Sequence, residues 1–128
     1  DSHQAIAGDV MLLAGTNSYF VPDTIDAEIL QRLDSFDIHP SGCLWGKGES
    51  PAQDQVAVLE DNLLQTHPEF CRGLEQAGMK QERRSLRLQV ADLEWELDAP
   101  QQQLELRFFL PAGSYATTVL RELVQTRD

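Results

Sequence analysis

Two short apolar runs open the chain, at residues 10–13 and 19–21. The five residues between them include Gly15 and Asn17, which tolerate positive φ. Two β-prone runs joined in this way predict a β-hairpin near the amino terminus. Residues 36–38 indicate a further brief extended piece.

Helical spacing follows in three places. Apolar residues recur four, five and eight positions after Ile25, with Asp23 or Thr24 as the expected N-cap. After a loop rich in Gly and Pro at residues 40–51, the same spacing returns at residues 56–64. His67 and Pro68 end that helix, and residues 69–77 predict a short helix that Gly78 closes.

The hydrophobic period changes to two near residue 84. Apolar and polar residues alternate over residues 86–90, 93–97 and 104–110, which predicts strands with one buried face and a turn at residues 98–100. The last segment returns to helical spacing, with Ser114 as the expected N-cap. Its apolar stripe consists of Ala116, Val119, Leu120, Leu123 and Val124.

Composition indicates a folded, strongly acidic protein. The chain has 128 residues, 41% of them hydrophobic, with 10 basic and 21 acidic residues and a net charge of −11. No apolar run is long enough for a transmembrane helix, and there is no secretory signal pattern. Taken alone, this charge argues against nucleic acid as a partner, because phosphate neutralisation needs a basic surface.

The sequence gives little support for a metal site or a nucleotide-binding site. Cys43 and Cys71 have no CxxC spacing, and His3, His39 and His67 form no ligand pattern, so we predict no metal site and a reduced, cytoplasmic protein. Residues 42–48 partly match a phosphate-binding P-loop, but the glycines are one residue too close and Gly48 replaces the hydroxyl residue. A plain surface loop is the better interpretation.

Charged residues in the second half have two interpretations each. Arg83, Arg84 and Arg87 are either a solvated strand edge or ion-pair partners of nearby Glu residues, which we favour, or a phosphate contact. Glu94 and Glu96 lie on one strand face, where they are either the solvent face of the strand, which we favour, or a pair for acid–base chemistry.

Residues 106–123 carry the most specific pattern, LRFFLPAGSYATTVLREL. A strand leads through a tight turn, in which Gly113 allows close backbone approach, into a helix that begins beside Tyr115. Arg121 lies off the apolar stripe, near Ser114 and two threonines, where a carboxylate or phosphate could reach it. The residues alone are consistent with an anion site or with an exposed helix arginine.

This stretch closely resembles the carboxyl-terminal signature of the tRNA pseudouridine synthase D (TruD) family, written roughly LPxGS-[FY]-AT-x-x-x-RE. Weaker resemblances precede it in the family's order, at residues 8–21, 41–48 and 82–84. The resemblance implies isomerisation of uridine to pseudouridine in tRNA, at position 13, without a cofactor or metal. It implies that Tyr115 contacts the extruded target base, that Arg121 keeps the nucleophilic aspartate ionised, and that Gly113 and Ser114 shape the turn.

The resemblance also shows what is missing. No Gly-x-Lys-Asp-Lys motif, which carries the family's nucleophilic aspartate, occurs in residues 1–128, and the family's Asn-x-Phe pocket motif is absent too. Because the chain opens at Asp1 with a strand-like feature, we expect the catalytic aspartate in an upstream, amino-terminal part of the same protein. That part would also supply most of the basic surface that faces RNA, and this chain alone should be inactive.

The expected fold class is therefore α+β. We expect a mostly antiparallel sheet with packed helices, as part of a pseudouridine synthase fold, plus a small α/β insertion domain. Residues 1–88 would be most of that insertion domain, and residues 89–128 the closing strands and helix of the catalytic domain. The alternatives are a non-catalytic acidic interaction domain that binds a protein partner, and a cleaved half of the same enzyme that assembles with its other half.

Overall fold

A computed structural model describes residues 4–125, so that Asp1 and His3 lie outside the described residues. The chain divides into two compact units, residues 1–87 and residues 88–128. Within the described part, four helices combine with antiparallel strand pairs, which confirms the predicted α+β class.

The first unit contains a four-stranded antiparallel sheet. Its strands are β1 (Met11–Leu13), β2 (Tyr19–Phe20), β3 (Ile38–Leu44) and β4 (Glu82–Ser85), in the spatial order β2-β1-β3-β4. The hairpin of β1 and β2 was predicted, and Met11 pairs with Phe20 in its register. β3 is the long central strand, and it pairs with β1 on one side and with β4 on the other.

Three helices belong to this unit. They are α1 (Ala27–Asp34), α2 (Asp54–Leu64) and α3 (Pro68–Gln76), and all three lie where the helical spacing predicts them. The buried core brings Met11 and Ile38 of the sheet together with Ile29 and Leu33 of α1. Gly78 closes α3 with a φ of 79°, as predicted.

The second unit is smaller. It consists of β5 (Ala91–Asp98) and β6 (Gln103–Phe109), which form an antiparallel hairpin, and α4 (Ala116–Leu123). The turn predicted at residues 98–100 is present. The alternation is correct, but the expected burial of its apolar face is wrong within the described residues, because the large apolar side chains of β5 are exposed, Trp95 at 68%.

Two sequence predictions in the sheet are wrong. The loop predicted at residues 40–51 starts too early, because residues 41–44 pair with β4 and tertiary pairing overrides the Gly and Pro signals. The strand predicted at residues 86–90 is absent, and β4 lies upstream of it. The Ser85 hydroxyl binds the backbone N–H of Arg87 at 3.2 Å and its carbonyl at 2.7 Å, which removes both groups from strand pairing.

Both predicted N-caps are also wrong. α1 is capped by Asp26, whose Oδ1 accepts from the N–H of Ile29 at 3.0 Å, and not by Asp23 or Thr24. Tyr115 occupies the N-cap position of α4 without a side-chain hydrogen bond to the helix end, so Ser114 lies one residue too early. The sequence offers several oxygen-bearing residues in each case, and only the backbone path selects among them.

Among residues 4–125, no helix combines the length and the apolar character that crossing a bilayer requires.

Candidate functional site

The strand–turn–helix segment predicted from sequence is present in the second unit. β6 ends at Phe109, and the N–H of Ser114 donates to the carbonyl of Pro111 at 3.2 Å to close the turn. Gly113 lies in this turn with a φ of 84°, a conformation that residues with a Cβ rarely adopt. A Cβ built on Gly113 would meet no atom within 4 Å, so the predicted close backbone approach is wrong and backbone conformation alone accounts for glycine here.

Tyr115 is presented at the end of this turn. Its backbone is extended, with φ −115° and ψ 122°, and its carbonyl accepts the N–H of Thr118 at 3.1 Å in the first turn of α4. The residue is 63% exposed. An aromatic ring held on a short, hydrogen-bonded backbone and open to its surroundings can stack against a flat ligand such as a base.

Arg121 lies in the last turn of α4 and is exposed. Thr117 and Thr118 precede it by four and three positions and therefore share its helix face. Small side chains on that face leave the guanidinium accessible to an anionic group. The structure thus leaves Tyr115 and Arg121 both exposed and packs neither into a core.

Arg83 is structural. Its guanidinium binds the Glu60 carboxylate of α2 through two nitrogens, at 2.8 and 2.9 Å. It also donates to the hydroxyl of Ser41 at 3.0 Å and to the carbonyl of Ser41 at 2.6 Å. Of the two favoured interpretations, the ion-pair partner is confirmed for this residue and the solvated strand edge is not, since its side chain is 2% exposed. Sequence reasoning missed Glu60 and Ser41, which lie 23 and 42 positions away.

Arg87 is also held inside the first unit. Its Nη2 donates to the carbonyls of Leu33 and Ile38, both at 2.8 Å, and its guanidinium lies 4.7 Å from the ring centroid of Phe36. Burial lowers the pKa of the Arg87 guanidinium. Burial, and then the charge of Arg87, lowers the pKa of His39, whose Nδ1 lies 3.1 Å from Nη2 of Arg87. These contacts leave Arg87 no role as a phosphate contact.

The glycine-rich segment does not form a P-loop. Gly42 lies within β3, opposite Arg84 of β4, and Gly46 packs on the backbone of Lys80. Trp45 donates its Nε1–H to Glu75 of α3 at 2.9 Å. The predicted surface loop is therefore wrong for residues 42–44, which belong to β3, and the segment as described contains no phosphate cradle.

Glu94 and Glu96 lie on the exposed hairpin of β5 and β6, opposite Arg107 and Glu105. Arg107 donates its Nε–H to Glu105 at 2.7 Å. Because all four residues are exposed, the structure supports the interpretation of the two glutamates as the solvent face of the strand and not as an acid–base pair.

Two further groups of the first unit have shifted pKa values. Burial raises the pKa of Asp9, against the lowering effects of the Ile6 N–H, which it accepts at 2.9 Å, and of the Arg83 charge. Burial also raises the pKa of the Cys43 thiol, which accepts a hydrogen bond from Nε2 of Gln81. A raised thiol pKa disfavours the thiolate that nucleophilic chemistry needs. Residues 4–125 contain no group of three or more His, Cys, Asp or Glu arranged to hold a metal ion.

Comparison with known proteins decides the family. The family model described as tRNA pseudouridine synthase D (TruD) matches residues 1–123. The chain belongs to the TruD family. Relatives called tRNA pseudouridine synthase D include one from Nitrosococcus oceani, which is 52% identical over 98% of this chain and 35% of its own length. One from Aeromonas salmonicida is 41% identical over 99% of this chain and 36% of its own length. One from Colwellia psychrerythraea is 44% identical over 94% of this chain and 35% of its own length.

The resemblance noted in the sequence is thus confirmed. The chain spans about a third of the length of the curated TruD relatives it matches.

Proposed function

We propose that the full-length protein containing this chain isomerises uridine to pseudouridine in tRNA, at position 13, in the cytoplasm. The observation that carries this proposal is the TruD match over residues 1–123, which includes the strand–turn–helix that presents Tyr115. In this proposal the nucleophilic aspartate belongs to the amino-terminal part of the same protein. The printed names of the relatives support the substrate class.

Tyr115 would hold the target base. A base can be reached only after it leaves its stack, and an exposed aromatic ring offers it a new stacking partner. Gly113 and Ser114 would set the direction of Tyr115 through the turn closed by the Ser114 N–H. Arg121 would pair with the nucleophilic aspartate, since a nearby guanidinium favours the ionised carboxylate.

The first unit would be most of an insertion domain, residues 1–88. Its supporting feature is that residues 1–87 form a compact unit with a buried core of its own, made of Met11, Ile29, Leu33 and Ile38.

The second unit, residues 89–128 in this proposal, would complete the catalytic domain. Every apolar side chain that is buried in the described residues belongs to the first unit. By contrast, the hairpin of β5 and β6 exposes a set of large apolar side chains, namely Leu93, Trp95, Leu97, Leu104 and Phe109. A two-stranded hairpin is marginal alone, and further strands or helices must cover it. We assign that covering role to the amino-terminal part.

The experiment is a tritium-release assay on the full-length protein with tRNA that carries 5-tritiated uridine. Pseudouridine formation releases the tritium, so the proposal expects release approaching one equivalent per tRNA, and none from the 128-residue chain alone. A full-length protein that releases no tritium but binds a protein partner would contradict the proposal and support the acidic interaction domain instead. Tritium release by the chain alone would contradict the upstream location of the aspartate.

A further inference from the structure

Lys47 and Lys80 lie side by side at the edge of the first unit. The N–H of Lys47 donates to the carbonyl of Met79 at 2.7 Å, and the N–H of Gln81 donates to the carbonyl of Lys47 at 2.9 Å. These bonds form an isolated parallel bridge in which the two lysines are direct partners. Paired residues of neighbouring strands share a face, and like charges placed directly opposite each other repel.

The residues around Lys47 and Lys80 hold the two segments in this pairing. Gly46 is buried against the other segment, and a Cβ on it would lie 2.3 Å from the carbonyl carbon of Lys80. Only glycine therefore permits the approach. One residue earlier, Trp45 anchors the same segment to α3 through Glu75. The two lysine backbones are thus fixed before any ligand arrives, which lowers the entropic cost of binding.

Neither lysine is neutralised by the described residues. Residues 1–87 contain 14 acidic and 7 basic residues, so carboxylates are abundant. Arg32 and Arg83 have acidic partners in this unit. Lys47 and Lys80, in contrast, are exposed and form no ion pair or side-chain hydrogen bond with any residue of 4–125.

We propose that Lys47 and Lys80 together bind the phosphate backbone of tRNA. This inference rests on the proposed function, and it gives the first unit a share in holding the substrate. Two lysines on one face suit a phosphodiester, because lysine binds phosphate as a point charge and the ligand offsets the repulsion between the two charges. The negative charge of the rest of the unit repels RNA, so the contact is local and depends on this pair.

Glu82 provides an internal probe of the same surface. It follows Lys80 by two positions and is exposed, so on an extended chain it lies on the face of Lys80. A carboxylate there opposes a bound phosphate. Removing its charge should therefore strengthen tRNA binding, whereas it would have no effect if tRNA stayed away from this edge.

The test measures tRNA affinity of the full-length protein as a function of salt. The variant K47Q/K80Q should bind more weakly at low salt, and the slope of log affinity against log salt should fall by roughly 0.7–0.9, since the pair neutralises one phosphate. The control R72Q/R107Q removes two exposed positive charges elsewhere in the described residues and should retain the slope. E82Q should bind more tightly than the wild-type protein.

Three results are decisive. An unchanged slope in K47Q/K80Q, with the same melting temperature as the wild-type protein, overturns the inference while the proposed function stands. An equal loss in R72Q/R107Q overturns it as well, because the effect would then be one of net charge. A wild-type protein that neither binds tRNA nor releases tritium overturns the proposed function itself, and the inference with it.

Discussion

The guanidinium of Arg83 donates to both oxygens of Ser41, to the hydroxyl at 3.0 Å and to the carbonyl at 2.6 Å. Ser41 in turn donates to the carbonyl of Val10 at 2.6 Å. This chain of contacts links β4, β3 and the segment before β1. The buried Arg83 therefore fixes these three segments relative to one another.

Breaking the buried pair of Arg83 and Glu60 should strongly destabilise the protein. R83Q leaves the Glu60 carboxylate, which is 12% exposed, without its counter-charge. Loss of one partner of a buried ion pair costs about 3–5 kcal/mol. Urea unfolding of the wild-type protein and of R83Q measures this difference in the free energy of unfolding.

The matched control is R107Q, which breaks the exposed pair of Arg107 and Glu105. Exposed pairs contribute about 0–1 kcal/mol, so R107Q should unfold nearly as the wild-type protein does. Equal effects of the two substitutions would contradict the structural role assigned to Arg83.

Stability should depend on pH through His39. Burial and the Arg87 charge lower the pKa of His39 in the folded protein. The unfolded chain therefore takes up this proton first as the pH falls, so the contribution of His39 is present above its unfolded pKa of about 6.5 and is lost as the pH falls through the folded pKa. We expect the free energy of unfolding to decline below about pH 6.5, and to decline less in H39Q.

Urea unfolding at several pH values between about 5 and 8 measures both curves. Other groups titrate in both proteins, so the difference between the curves isolates His39. Parallel curves for the wild-type protein and H39Q would show that protonation of His39 does not change the free energy of unfolding.

Substitution of Arg121 distinguishes a role in catalysis from a role in tRNA binding. If its guanidinium keeps the nucleophilic aspartate ionised, R121A in the full-length protein should lower kcat with little change in KM, and the pH dependence of kcat should move to higher pH. Tritium release at varied tRNA concentration and pH gives these values. A rise in KM alone, with the pH profile unchanged, would make Arg121 a phosphate contact instead.

Local patterns were sufficient for most elements of the fold. The hairpin of β1 and β2, the helices α1 to α3 and the alternation in β5 and β6 all follow from spacing and turn residues. The wrong predictions occur where residues far away in the sequence determine the local structure. Residues 41–44 form a strand because β4 pairs with them, and the Arg87 side chain binds carbonyls of Leu33 and Ile38, which lie 54 and 49 positions earlier in the sequence.

The candidate site divides in the same way. The turn around Gly113 and the exposure of Tyr115 could be expected from a contiguous motif. The bridge between Lys47 and Lys80 could not, since 33 positions separate them and neither carries a local signal. A glycine at position 46 is consistent with a close backbone approach, but the residue type does not indicate which segment lies beside it.

The most direct test of this account is the turnover of Tyr115 variants of the full-length protein, measured by tritium release from labelled tRNA. Because the ring would stack on the target base, Y115A should lose most activity, by roughly 5- to 160-fold at about 1–3 kcal/mol per stacked base, while Y115F should remain close to the wild-type rate. Wild-type turnover by Y115A, with tRNA saturating, would contradict the assignment of the strand–turn–helix to the substrate pocket.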